Sequence, residues 1–192
     1  MKSLILASTS PYRREQLQRF CLSFEALAPE CDEDAFKNKG LSVEELAQTL
    51  AYEKAKSLQE KHPEPVIIGA DQVAAVDGTI LSKPGKRDKA CEQLMMLQGK
   101  THQLLTAVCV LDGDKKYEHL EVANLTMASL NEQQIERYVE KDLPLYSCGS
   151  YKIESFGIAL FDKIEVQDFT SIVGLPMLYL GRTLRQVGFQ FP

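Results

Sequence analysis

Cations and carboxylates stand next to apolar runs at several points in this chain. The apolar run Leu4–Ala7 stops at Ser8-Thr9-Ser10, and Arg13 and Arg14 follow after a proline. A strand, a hydroxyl-rich turn and a helix start can bind an anion. The first backbone N–H groups of a helix are unpaired and carry the positive end of its dipole. Arg13 adds a planar fork that can hold a phosphate at two points. Further on, Glu33 is expected in a polar loop rich in acids, Glu30-Cys31-Asp32-Glu33, Lys54 and Lys83 lie beside apolar segments, and Asp71 follows the run 66–70. Phosphates need cations, a divalent metal needs carboxylates and an attacking water needs a base. This set contains all three.

Each residue also has a plainer reading. Ser10 can be only a helix cap, with both arginines on a solvated face. Asp71 can be a turn residue and Glu33 a surface acid. Lys54 can be a snorkelling side chain near a helix end. The first segment is not a P-loop, since it has no Gly-x-x-x-x-Gly-Lys. Spacing alone names no reaction.

The elements that must position these residues are legible in part. Leu4–Ala7 does not alternate, as expected of a strand buried on both faces. Ser10 caps a helix whose first position suits Pro11, with Leu17 and Phe20 on its buried side. Ser42 and Glu45 form a capping box. The helix that follows buries Val43, Leu46, Ala47, Leu50 and Leu58, and Lys54 returns to nearly the face of Val43 at ~3.6 residues per turn. A second buried strand is expected over 66–71, ending on Asp71. A hairpin then runs through 73–76, the turn Asp77-Gly78, and 80–83. A helix is expected at 88–97 and two long strands at 102–111 and 117–130. Asn131 and Gln134 cap a further helix with Ile135, Tyr138 and Val139 inside. A short strand is expected at 157–161. Pro176 opens the last helix, with Met177, Leu180, Leu184 and Val187 facing in. Alternating strands and helices imply an α/β fold with a mixed sheet, flanking helices and a central cleft where strands end.

With no repeat or linker, the 192 residues read as a single domain, 1–192. A net charge of −5 excludes a nucleic-acid binder that relies on a broad basic surface. The five cysteines are odd in number and form no Cys-x-x-Cys pair, which suits a reducing, cytoplasmic compartment better than structural zinc or disulfides. The apolar stretch after Met1-Lys2-Ser3 is too short for a signal peptide or a membrane span.

Seven segments, taken together, resemble the Maf family of nucleoside triphosphate pyrophosphatases. They are Leu6-Ala7-Ser8-Thr9-Ser10-Pro11-Tyr12-Arg13-Arg14, Ala51-Tyr52-Glu53-Lys54-Ala55, Gly69-Ala70-Asp71-Gln72-Val73, Ser82-Lys83-Pro84, Gly99-Lys100-Thr101-His102, Cys148-Gly149-Ser150-Tyr151-Lys152-Ile153-Glu154-Ser155-Phe156-Gly157 and Val173-Gly174-Leu175-Pro176. They follow the family's order over nearly the whole chain. The resemblance implies a fold related to inosine triphosphate pyrophosphatases. It also implies cleavage of a nucleoside triphosphate to a monophosphate and pyrophosphate, with a divalent metal, Mg²⁺ or Mn²⁺, and a homodimer. Residue by residue, Ser8 and Arg13 match phosphate-binding positions, and Glu33, Lys54 and Lys83 match polar positions in the catalytic cleft. Asp71 matches the proton acceptor, and Asp71 and Glu33 are the carboxylates for the metal.

Tyr12, Gln72 and Glu154 match base-reading positions. Together with the stretch 149–157 they resemble the branch acting on 7-methyl-GTP. The pyrimidine-triphosphate branch has arginine, threonine and glutamine at these three places. A dTTP/UTP pyrophosphatase of the same fold, or a nucleotide-binding regulator linked to septum formation, are the competing readings.

Overall fold

The computed structural model describes residues 2–37 and 39–191. In chain order they form β1 (Leu4–Ala7), α1 (Pro11–Gln18), β2 (Glu25–Leu27), α2 (Glu33–Lys37), α3 (Val43–Gln59), β3 (Val66–Val76), β4 (Thr79–Leu81), α4 (Arg87–Leu97), β5 (Thr101–Asp112), β6 (Lys115–Met127), α5 (Glu132–Asp142), β7 (Phe161–Glu165) and α6 (Met177–Gln186), with 3₁₀ turns at Cys148–Ser150, Phe156–Leu160 and Phe169–Val173. The strands form a mixed sheet in the order β2-β1-β3-β5-β6-β7, with β4 paired to β3. No helix among the described residues is long and apolar enough to cross a membrane.

Two compact units divide the chain. The first comprises residues up to Asp71, Thr106–Glu121 and Asp168 onward; the second comprises Gln72–Leu105 and Val122–Gln167.

In the first unit β1 pairs in parallel with both β2 and β3, in the register Ile5↔Glu25 and Ile5↔Ile67. Parallel neighbours need crossover connections, which α1 and α3 supply. Leu4, Leu6, Val66, Ile68, Ala70, Val108 and Val110 form one apolar cluster with Leu17 of α1 and with Leu180 and Leu184 of α6. These strand residues alternate along β1 and β3, so they mark one face of the sheet. Helix α3 meets β3 through Gly69, where an added Cβ would lie 2.1 Å from the Ala51 carbonyl oxygen. The helix starts at the capping box read from the sequence: Ser42 Oγ accepts from Glu45 N, and Glu45 Oε2 accepts from Ser42 N.

The second unit holds the β3–β4 hairpin. Asp77 and Gly78 both have positive φ, +49° and +76°. That is the backbone of the turn that suits strand twist in a two-residue hairpin. Helix α4 packs on α5 and on the 3₁₀ turn Cys148–Ser150. Helix α5 begins at the expected Asn131–Gln134 box, with both reciprocal bonds made.

Three expectations are corrected. β3 does not end at Asp71 but runs on to Val76, so the 66–71 strand and the first arm of the hairpin are one strand. Aspartate is disfavoured inside strands, and here an ion pair with Lys54 offsets that preference. Of the 157–161 segment, all but Phe161 lies in the 3₁₀ turn Phe156–Leu160, and the strand is Phe161–Glu165. Gly157 N donates to Lys152 O rather than to a ladder. Glu33 does not lie in an open loop but opens α2, where Asp32 Oδ1 accepts from Ala35 N.

Candidate active site

Asp71, Lys54 and Glu33 meet in the first unit. Lys54 Nζ lies 2.5 Å from Asp71 Oδ1 and 2.7 Å from Glu33 Oε1. Asp71 and Lys54 are each only 6% exposed, so their charges face little water. Lys54 is therefore not snorkelling to solvent; it is the buried partner of two carboxylates. Burial pushes the Asp71 carboxyl above its ordinary value of 3.8, Glu33 pushes the same way, and Lys54 and Arg13 pull against both. Burial favours the protonated form of this carboxyl, and the neighbouring cations oppose that rise.

Arg13 is anchored by backbone carbonyls. Its Nε donates to Gly174 O at 3.1 Å and its Nη1 to Ala70 O at 2.8 Å. Ala70 precedes Asp71, so the guanidinium and the carboxyl are registered along one strand. Gly174 has φ +128°, and an added Cβ would come within 3.2 Å of Arg13 Cγ. The turn before α6 that holds Gly174 is itself tied down. Thr106 Oγ1 donates to Ser171 O, and Gln16 Nε2 donates to Thr170 O. Pro176 offers no side-chain cap. Instead Asp168 Oδ2 accepts from Leu178 N and Thr170 Oγ1 accepts from Met177 N.

Ser8 is buried at the end of β1, and its Oγ accepts from Ser10 N. Ser10 caps α1 by accepting from Arg13 N. Tyr12 is half-buried on α1 next to Arg13, and Arg14 is exposed. The turn, the helix start and the anchored guanidinium thus lie together at the end of β1.

Lys83, Gln72 and Glu154 belong to the second unit. Lys83 and Glu154 are exposed. Gln72 is half-buried on β3, and its carbonyl accepts from Cys148 Sγ at 3.4 Å. Lys152 Nζ donates to the Asp142 carbonyl and lies 3.7 Å from Asp142 Oδ1. The segment around it is anchored at Tyr151, whose hydroxyl lies 2.9 Å from His102 Nε2.

The sequence reading missed the carbonyls of Ala70 and Gly174, because any residue carries a carbonyl. Gly69 did leave a signal: an isolated glycine inside an apolar strand marks a close backbone approach.

The family model described as Maf-like protein matches residues 3–187. The chain belongs to the Maf family. Among curated Maf relatives, the 7-methyl-GTP pyrophosphatase of Bdellovibrio bacteriovorus is 50% identical over 183 residues, 95% of this chain and 96% of the relative. The 7-methyl-GTP pyrophosphatase of Xanthomonas axonopodis pv. citri is 43% identical over 192 residues, covering both chains fully. That of Pseudomonas aeruginosa is 41% identical over 194 residues, again with full coverage. The Maf segments that suggested the family from sequence therefore sit in a match that spans nearly the whole chain.

Proposed function

We propose that the chain hydrolyses 7-methyl-GTP to 7-methyl-GMP and pyrophosphate, removing a modified nucleotide. The observation that carries this reading is the buried Asp71 carboxyl beside Lys54 and Arg13, in a chain whose relatives are named 7-methyl-GTP pyrophosphatases. The match of one family model over residues 3–187 supports treating the chain as a single catalytic domain.

The steps follow from the side chains. Arg13, Ser8 and the N–H groups at the start of α1 bind the phosphates. Asp71 takes a proton from water as the water oxygen bonds to the α phosphorus. The bond from that phosphorus to the bridging oxygen breaks, and pyrophosphate leaves with the electron pair. Lys54 and Lys83 offset the charge that develops on the leaving group. Glu33 and Asp71, the two carboxylates paired with Lys54, are hard oxygen donors and would be the residues to hold a Mg²⁺ or Mn²⁺ ion. Such an ion would neutralise phosphate charge. A homodimer in the cytoplasm belongs to the same reading, and five free thiols suit a reducing compartment.

For the base, Glu154 can accept from guanine N1–H and the 2-amino group together. N7-methylation makes the ring cationic, which favours a carboxylate and an aromatic face such as Tyr12. Gln72 follows Asp71 in sequence and would bond the remaining edge. By analogy with base reading in DNA, a good bidentate contact contributes roughly 1–3 kcal/mol of discrimination. The test is pyrophosphate release from 7-methyl-GTP, GTP, dTTP and UTP, with the reaction repeated in ¹⁸O-water. The expected result is preference for 7-methyl-GTP, label in the monophosphate, and a narrower preference in Glu154→Gln. Faster turnover of dTTP and UTP, or orthophosphate as the first product, overturns the reading.

A further inference from the structure

Gln93 is a polar residue on α4 that is only 3% exposed. Its amide bridges two segments of the second unit. Nε2 donates to the Ser82 carbonyl at 2.9 Å, and Oε1 accepts from Ser150 Oγ at 2.5 Å. A carbonyl can only accept, so Nε2 must face Ser82. That leaves Oε1 for the serine hydroxyl, and both ends of the amide are used.

Both partners sit where a fixed backbone matters. Ser82 precedes Lys83, and on the other side of Lys83 the turn is held by Gly85 N donating to Leu145 O at 2.9 Å. Ser150 is fully buried with φ +62°, a conformation that non-glycine residues avoid. Such strain persists where surrounding bonds hold it, and the bond to Gln93 is one of them. Gly149 before it has φ +74° and lies against the Tyr151 ring. The chain that leaves this turn leads to Glu154.

We propose that Gln93 is a positioning residue that ties the turn holding Lys83 to the segment holding Glu154, so that phosphate handling and base reading share one buried anchor. The proposal rests on the reading of Lys83 and Glu154 as nucleotide-facing residues. Gln93 touches no substrate; it acts through the two segments it joins. Ser150 serves the same arrangement as one arm of the bridge.

Two variants test it. Gln93→Met keeps the length and removes both bonds; Ser150→Ala removes one. The measurements are kcat and KM for 7-methyl-GTP and GTP, together with amide hydrogen exchange of residues 79–85 and 147–157. In Gln93→Met we expect kcat/KM for 7-methyl-GTP to fall by about tenfold or more, as for a buried polar contact left unmade. The preference over GTP should narrow, and exchange should quicken in both segments. In Ser150→Ala the preference should narrow with a smaller fall in kcat, and exchange should quicken only in 147–157. The proposal is overturned if Gln93→Met shifts only the unfolding midpoint, with the kinetic constants within about twofold of the unaltered protein and exchange unchanged in the two segments. Should Gln93→Met not fold, an unchanged preference in Ser150→Ala overturns it. If the unaltered protein does not prefer 7-methyl-GTP, the functional reading fails by that result alone. The anchor then stands or falls on whether the two segments loosen together.

Discussion

Gly69 and Ala51 lie so close that a Cβ on Gly69 would fall 2.1 Å from the Ala51 carbonyl oxygen and 2.7 Å from the Ala55 nitrogen. The obstacles are backbone, not the tips of flexible side chains. Helix α3 can therefore rest on β3 only where the strand lacks a side chain. Lys54 lies between these two alanines in sequence, and Asp71 is two residues beyond Gly69 on the same strand face. The missing side chain thus sets the distance at which the Lys54–Asp71 pair forms.

Gly69→Ala should force α3 and β3 apart. Overpacking of a filled core costs about 1–3 kcal/mol, and this backbone clash belongs at or above the upper end. Turnover should fall with stability, because Lys54 moves with its helix. Chemical unfolding and steady-state kinetics on the same preparation check this. A Gly69→Ala protein of unaltered stability would show that the contact is not as tight as described.

Asp71→Asn keeps the size and removes the proposed base. Loss of a general base lowers the rate by roughly 10²–10⁴-fold. The folded Asp71 carboxyl is raised above 3.8. Between that value and its folded one, the folded chain holds the extra proton. Asp71 therefore contributes stability at low pH that is lost as pH rises through the folded value. The variant should unfold no earlier than the unaltered protein at pH 7 while being nearly inactive. Near-normal turnover would remove Asp71 from the chemistry.

Gly174→Ala places a side chain against Arg13 and strains a backbone with φ +128°. If the Gly174 carbonyl shifts, Arg13 loses its Nε partner. Hydrogen bonds to charged groups contribute about 1.5–3 kcal/mol, so a rise in KM of roughly ten- to a hundredfold is expected. Product inhibition by pyrophosphate should weaken in parallel. Unchanged pyrophosphate affinity would mean that Arg13 does not hold phosphate.

His102 is buried between Tyr151 and Phe161, and burial lowers its pKa from 6.5 to about 4. Between these values the unfolded chain binds the proton and the folded chain does not. The contribution of His102 is therefore complete above pH 6.5 and lost as pH falls toward 4. The stability advantage of the unaltered protein over His102→Gln should shrink by up to about 3 kcal/mol from pH 7 to pH 4. A difference that does not change with pH would show that His102 takes up its proton as readily in the folded chain as in the unfolded one.

Much of this molecule is local and could be read from the chain. Ser10-Pro11, Ser42 with Glu45 and Asn131 with Gln134 start helices because each cap is made by residues three apart at most. Asp77-Gly78 sets its hairpin because two residues of positive φ suffice. The segments that mark the family span the chain, and one family model matches 3–187. Tertiary structure alone decided the rest. Lys54 and Asp71 are seventeen residues apart and on different elements, so only packing across Gly69 brings them to 2.5 Å. That ion pair lets β3 run through an aspartate that otherwise reads as a strand end. The grip on Arg13 comes from two backbone carbonyls, 57 and 161 residues distant, and a carbonyl leaves no mark on composition. Gln93 looks like any helical glutamine until its amide is found between Ser82 and Ser150. Caps and turns depend on neighbours in sequence; buried charge pairs and amide bridges depend on the dry, fixed surroundings that only the folded chain creates.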